Sequence, residues 1–193
     1  MKKDRRSNRT RSWLYESLLE LMKSKDYADI SITELTKKSD IARQSFYRIY
    51  GSKDDILLSK MDEINNEIFE KAELNFDQNS DQFLDLAILQ LVNAFQENEE
   101  FFDALLKSKL QHEMLTKFSE CIARFYMKEK NHQELRDNYL YWIYFIVGGI
   151  YMMLFKWNER NMDTPAETII KIMQKSARHI NLIIEEYSDE NMI

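Results

Sequence analysis

Apolar positions recur every three to four residues along almost the whole chain, which is the period of a half-buried α-helix. Leu14, Leu18, Leu21 and Met22 share one such face and predict a first helix from about Thr10 to Lys25. Asp26-Tyr-Ala-Asp29 is a polar break. Ser31-Ile-Thr-Glu34 has the form of a capping box, with the serine accepting from the Glu34 N–H and the glutamate reaching back to the Ser31 N–H. The helix it opens turns Ile32 and Leu35 inward and fades near Ser39. A further segment, about Ala42 to Tyr50, carries Phe46, Ile49 and Tyr50 on one side, and Gly51 is expected to end it. Ser52-Lys-Asp-Asp55 is another helix start, with acids in the first turn. The long helix from about Lys53 runs through Ile56, Met61, Ile64 and Ile68 to Asn75. Asn75–Asp81 reads as a polar linker. Helices near 81–97, 99–108, 110–129, 134–160 and 165–187 follow, the last with Pro165 at its first position. The expectation is an all-α fold of about nine helices.

The segments on either side of Ser39-Asp40-Ile41 are too short to be stable alone. Paired, they form a helix-turn-helix candidate, in which the second helix lies in a major groove and the first braces it. Burying Ile32, Leu35, Ile41, Phe46, Ile49 and Tyr50 against Leu14, Leu18 and Leu21 leaves Arg43, Gln44, Tyr47 and Arg48 pointing out. Arg bonds guanine bidentately, Gln bonds adenine, and Ser bonds either, so Arg43, Gln44 and Ser45 are the candidate base readers. Thr33, Tyr47, Arg48 and Lys53 suit phosphate oxygens, which set register without reading sequence. Two amphipathic helices with solvated outer faces would carry the same pattern.

Composition sharpens this. Three Gly and one Pro in 193 residues are too few for many-stranded sheets. The net charge is −6, yet residues 1–60 carry +5 and the remainder −11. A basic front on an acidic body suits a front that meets a polyanion, and equally a solvated basic tail. One Cys excludes an internal disulfide, and the charged start MKKDRRSNRTR is followed by no apolar run, so no signal peptide is expected and a reducing cytoplasm is the compartment predicted.

Residues 10–57 resemble the DNA-binding domain of the TetR family of transcriptional repressors. Thr10-Arg11 stands before the first helix, Tyr27 supplies the aromatic after it, and "SFYRIYGSKDDIL" places Tyr47, Tyr50, Lys53, Asp54, Asp55 and Ile56 in the family register. The resemblance implies a homodimer that binds a palindromic operator in double-stranded DNA. It implies phosphate contacts from Tyr47 and Lys53, and base reading from Arg43, Gln44 and Ser45. Thr10, Arg11 and Ser31 join Thr33 and Arg48 as further phosphate candidates. The chain departs from the pattern at Asp40, where the family usually has Gly, and at Asp26, where a helix-ending Gly is common. Thr36, Ser39 and Gln44 stand where smaller residues are frequent, which bears on base preference. The implied division is a DNA-binding head, 1–52, and a regulatory and dimerisation body, 53–193.

Within the body, Tyr139–Phe155 carries no charge. Its 17 residues sit at the bottom of the ~17–25 range of a membrane span, Tyr is dense, and Asp137 and Lys156 flank it closely, so a buried helix and no membrane are expected. Gly148-Gly149 costs roughly 0.5–1 kcal/mol per residue in a helix, and close approach by another helix is the expected return; a kink is the other reading. The spacing of Phe145, Gly148-Gly149, Trp157 and Pro165 resembles the C-terminal region of TetR-like regulators, in which the last two helices pair with their twins. Gly148, Gly149, Met152, Trp157, Ile172 and Ile180 are the dimer-interface candidates. Phe83, Leu86, Leu91, Phe95, Phe101, Phe102, Leu105, Leu106, Leu110, Leu115, Phe118, Ile122, Phe125, Tyr126 and Met127 predict an aromatic core that suits an enclosed small apolar effector, or an ordinary interior.

Other chemistry is sparse. His112, His132 and His179 lack metal-ligand spacing, Cys121 shares a face with Phe118 and is expected buried, and no phosphate loop or nucleophile elbow occurs. No cofactor and no catalytic residue are expected. The function expected is a repressor released by an effector; the alternative is a helical module that docks a protein and has no operator.

Overall fold

The computed structural model describes residues 2–74, 80–129 and 137–190, with side chains described for 7–72, 85–123 and 140–179. All regular elements among them are helical: α1 (Lys2–Met22), a 3-10 turn (Tyr27–Asp29), α2 (Ile32–Lys38), α3 (Arg43–Tyr47), α4 (Asp54–Leu74), α5 (Ser80–Glu97), α6 (Glu99–Ser108), α7 (Gln111–Glu129), α8 (Asp137–Glu159) and α9 (Ala166–Glu190). α1 begins earlier than its apolar stripe, because its first turns have no apolar face to announce them. The expected linker falls largely on residues 75–79, outside the described residues.

Two units form. The first comprises residues 1–63 and 98–114. Leu14, Leu18, Leu35, Phe46, Leu57 and Met61 are fully buried there, so α1 to α4 share one interior. Leu21, Ile32, Ile41 and Ile49, expected inside, are half-buried. α6 belongs to this unit rather than to the aromatic interior of the body expected for it. Tyr15 of α1 meets Phe101 at 6.4 Å, and Phe102 packs edge-on to Phe101 at 5.2 Å. Lys109, at φ 63°, turns the chain out of α6.

Residues 64–97 and 115–193 make the second unit. Its aromatic rings form a continuous series: Phe69 of α4 to Phe118 of α7 at 6.1 Å, Phe118 to Tyr151 of α8 at 5.2 Å, Tyr151 to Phe155 at 5.9 Å, and Phe155 to Phe95 of α5 at 6.0 Å. Aromatic pairs at such distances add about 0.5–1.5 kcal/mol each beyond area burial. Gln174 of α9 donates to the Asp85 carbonyl of α5 at 3.0 Å. The turn into α9 is tight, with Asn161 and Met162 both in left-handed backbone and the Met162 N–H donating to the Trp157 carbonyl at 2.9 Å. Pro165 stands just before the first residue of α9, and its carbonyl accepts from Thr168 and Ile169.

Leu140–Glu159 is long and apolar enough to cross a bilayer by length and composition. Ile143, Val147, Tyr151, Leu154 and Trp157 along it are buried within the protein, as a core helix requires.

Candidate nucleic-acid interface

α2 is held at both ends. Ser31 accepts from the Glu34 N–H at 3.2 Å, and Glu34 accepts from the Ser31 N–H at 3.2 Å, so the capping box read from sequence is present. Lys25 adds an ion pair to Glu34 at 2.5 Å. That ammonium, with the Ser31 amide and hydroxyl behind it, lowers the Glu34 carboxyl from 4.5 to about 2. At the far end, the buried Ser39 hydroxyl donates to the Leu35 carbonyl at 2.8 Å.

The turn then reverses on Asp40, whose φ is 53°. This is the position where the family usually has Gly, and an aspartate holds the left-handed backbone in its place. The Ile41 N–H closes the turn onto the Thr36 carbonyl at 3.0 Å. α3 itself has only five residues, from Arg43 to Tyr47, although the Tyr50 N–H still reaches the Phe46 carbonyl at 2.9 Å. Phe46 at 0% exposure and Tyr50 at 6% anchor it. The helical turn has ended by Gly51, as expected, and Gly51 has no positive φ. The Gly51 and Ser52 N–H groups donate to the Asp55 carboxylate at 2.8 and 2.9 Å, and a Cβ at residue 51 would stand 3.2 Å from that oxygen.

The outer surface is polar and basic. Arg43, Gln44, Tyr47 and Arg48 are exposed, and Ser45 is half-buried. The Arg43 guanidinium donates to the Tyr47 hydroxyl at 3.2 Å and to Thr33 Oγ1 at 3.5 Å, so α2 and α3 meet in one network. Gln44 and Arg48, four apart, form the adjoining row. Ser31 is exposed beside its cap, and Thr10 lies half-buried on α1. Arg11 faces another way: its guanidinium lies 5.2 Å from the Tyr50 ring centre and donates to Ser59 of α4 at 3.2 Å. It lines a cleft of about 280 Å³ with Asn8, Ser12, Tyr15, Lys60 and Glu63. Burial, with Glu100 and Glu63 nearby, raises the Tyr15 phenol to about 12.

Lys53 is engaged within the chain. Its ammonium donates to the carbonyl oxygens of Tyr27, Ala28 and Ile30, the last two at 3.3 and 2.9 Å, and lies 4.3 Å from the Tyr27 ring centre. The Tyr27 hydroxyl donates to Asp54. Burial, then that hydrogen bond, pushes the Tyr27 phenol upward. Nothing in the sequence pattern signalled this grip, because the partners lie 23 to 26 positions apart.

α8 exposes a stripe. Tyr141, Phe145 and Met152 are 73%, 63% and 61% exposed, and Tyr144 and Gly149 are also open. A Cβ added at Gly148 or Gly149 would meet nothing within 4 Å in this chain. Ile172 of α9 is exposed as well. Trp157 is different: it is buried, and its indole N–H donates to the Thr164 carbonyl at 2.8 Å. The side chains of Ile180, Phe83, Phe125, Tyr126 and Met127 lie outside those described, and His132 lies outside the described residues. Cys121, expected buried, is half-buried. Among the described residues no His, Cys, Asp and Glu group suited to a metal ion occurs.

Residues 84–179 match the family model of a transcriptional regulator C-terminal region, TetR_C_8. Over 55 residues the chain is 44% identical to the uncharacterized HTH-type transcriptional regulator YxbF of Bacillus subtilis (strain 168). That match spans 28% of this chain and 14% of the relative's length. A tetR-family transcriptional regulator from Streptomyces coelicolor superposes with a TM-score of 0.63 at 12% identity, covering 93% of this chain and 86% of its own. A TetR transcriptional regulator from Streptococcus agalactiae 2603V gives 0.61 at 18% identity, covering 92% and 98%.

Proposed function

Because the chain belongs to the TetR family of transcriptional regulators, we propose that it is a homodimeric repressor that acts in the cytoplasm and holds a palindromic operator with two copies of the 1–52 head. The family is one of regulators, not enzymes. The observation that carries the reading is the Arg43–Tyr47–Thr33 network on the outer face of α2 and α3, set on a buried Phe46. In this reading Arg43, Gln44 and Ser45 meet base edges, and Tyr47, Arg48, Thr33, Ser31, Thr10 and Arg11 meet phosphates. Arg11 would first leave the Tyr50 ring and Ser59. Lys53, which the family register also gives to a phosphate, has its ammonium already held by three carbonyls. Two-fold symmetry puts the half-sites one helical turn, roughly 34–36 Å, or a small multiple apart.

The body, residues 53–193, supplies the second copy's contact and the switch. The α8 stripe with Gly148, Gly149 and Met152, joined by Ile172 of α9, is the surface that would pair with its twin. A small, mainly apolar effector would bind in the second unit and prefer the conformation that does not hold DNA. Among the described residues three buried polar atoms lack a hydrogen-bond partner, and two of them support such a site: Asn65 Oδ1 and the Tyr151 hydroxyl, the latter beside Phe118.

Selection of bound duplexes from random DNA, followed by sequencing, tests the reading. The expected outcome is an enriched inverted repeat, with binding that falls steeply as salt rises. Recovery of no enriched palindrome would overturn it and favour a helical pair that docks a protein.

A further inference from the structure

We propose that Lys53 serves DNA binding as a positioning residue, a clasp that fixes the entry of α2, and not as a phosphate contact. The inference deepens the operator-binding reading and rests on it for its DNA measurements.

The geometry runs as follows. Lys53 and Asp54 open α4 and hold Tyr27 from two sides. Lys53 takes the Tyr27 carbonyl and its ring face, and Asp54 takes the hydroxyl. The same ammonium takes the carbonyls of Ala28 and Ile30. An ammonium has three protons, and three carbonyls converge on it, so no donor is left over for a DNA oxygen. Ile30 immediately precedes Ser31, the N-cap of α2, and Thr33 of α2 meets Arg43 of α3. A short chain of contacts therefore joins Lys53 to the residue best placed to read a base. Tyr27 and Ile30 are buried, at 7% and 2% exposure, so the clasp closes over an interior it also shields. A phosphate contact would have to displace at least one of these carbonyls.

The two roles separate in one variant set. A phosphate contact is a point charge, which Arg supplies as well as Lys; three carbonyls converging on one nitrogen suit an ammonium and not a planar fork. The slope of log K against log salt also counts phosphates neutralised, at about 0.9 per contact for duplex DNA. The wild-type protein, Lys53→Met, Lys53→Arg and, for comparison, Arg48→Gln are titrated with the selected duplex over a salt series. Hydrogen exchange at the backbone amides of residues 29–39 is followed without DNA. Expected for Lys53→Met are a loss of affinity of about tenfold or more at an unchanged salt slope, and faster exchange in α2. Lys53→Arg is expected to share both effects in weaker form. Arg48→Gln should lower the slope by about one and leave exchange as it was. A slope lowered by about one in Lys53→Met, full activity in Lys53→Arg, or unaltered exchange in both variants each overturns the clasp. Exchange is read on the protein alone, so a failure to select any duplex would remove the operator reading and leave the mechanical half of the proposal still tested.

Discussion

Two residues carry costs or charges that solution measurements can isolate. Asp40 holds φ 53°, a region that costs a non-glycine residue roughly 1–2 kcal/mol, somewhat less for Asp and Asn. Asp40→Gly relieves that strain but loosens the unfolded chain, so the net gain is expected to be at most about 1 kcal/mol. If the turn faces an operator as proposed, removing its carboxylate should tighten operator binding as well. Thermal melting and a binding titration check the two effects, and Asp40→Ala, which tolerates the left-handed backbone less well than Asp, should lower stability while still giving the second. At Glu34 the argument is one of linkage. Its folded carboxyl is lowered to about 2 from an ordinary 4.5. A depressed pKa contributes stability that is fully present above 4.5 and lost as pH falls towards 2. Glu34→Gln should therefore flatten the fall in stability between those pH values, with denaturant midpoints at pH 7 and pH 3 as the measurement. A wild-type and variant pair that lose stability in parallel would show that the Lys25 and Ser31 contacts do not hold the carboxylate in solution.

Among the elements, α3 depends most on one side chain. Five residues make too few backbone hydrogen bonds to persist alone, so tertiary burial has to hold them. Phe46 is fully buried, edge-on to Tyr47 at 5.3 Å and tilted to Tyr50 at 6.1 Å. Phe46→Ala is expected to cost about 3–5 kcal/mol. Operator affinity should fall by more than any single outward substitution achieves, as paired melting and binding curves would record. This dependence was legible in the sequence, because Phe46 and Tyr50 lie on one helical face and Arg43 and Tyr47 on the other. The capping box at Ser31 was legible for the same reason: its signal spans four residues. The Lys53 clasp and the placement of α6 beside α1 were not, since both join segments far apart in the chain and neither leaves a local pattern. The stop at Gly51 was legible, but not what holds it: the Asp55 carboxylate, which takes up the Gly51 and Ser52 N–H groups.

At the scale of the whole molecule, the question is what covers α8. Four large apolar side chains on one helix, Tyr141, Tyr144, Phe145 and Met152, stay more than half exposed. Scattered surface apolar residues are ordinary, but a contiguous stripe marks a contact surface. The glycine pair in that stripe separates the explanations. A methyl at Gly149 meets nothing within 4 Å in this chain. For a lone subunit, Gly149→Ala therefore only removes the helix penalty of glycine and should stabilise by roughly 0.5–1 kcal/mol. For a dimer whose helices cross at the glycines, the same methyl stands between two backbones and should weaken association, about tenfold or more in Kd. Sedimentation over a range of protein concentrations reads the second effect, and melting at the lowest concentration reads the first, because a dimer's apparent stability rises with concentration. Phe145→Glu is expected to abolish association through a buried charge without touching the glycines. Should Gly149→Ala raise stability at every concentration and leave association alone, the crossing lies elsewhere along α8 and α9, and the glycines serve the helix itself.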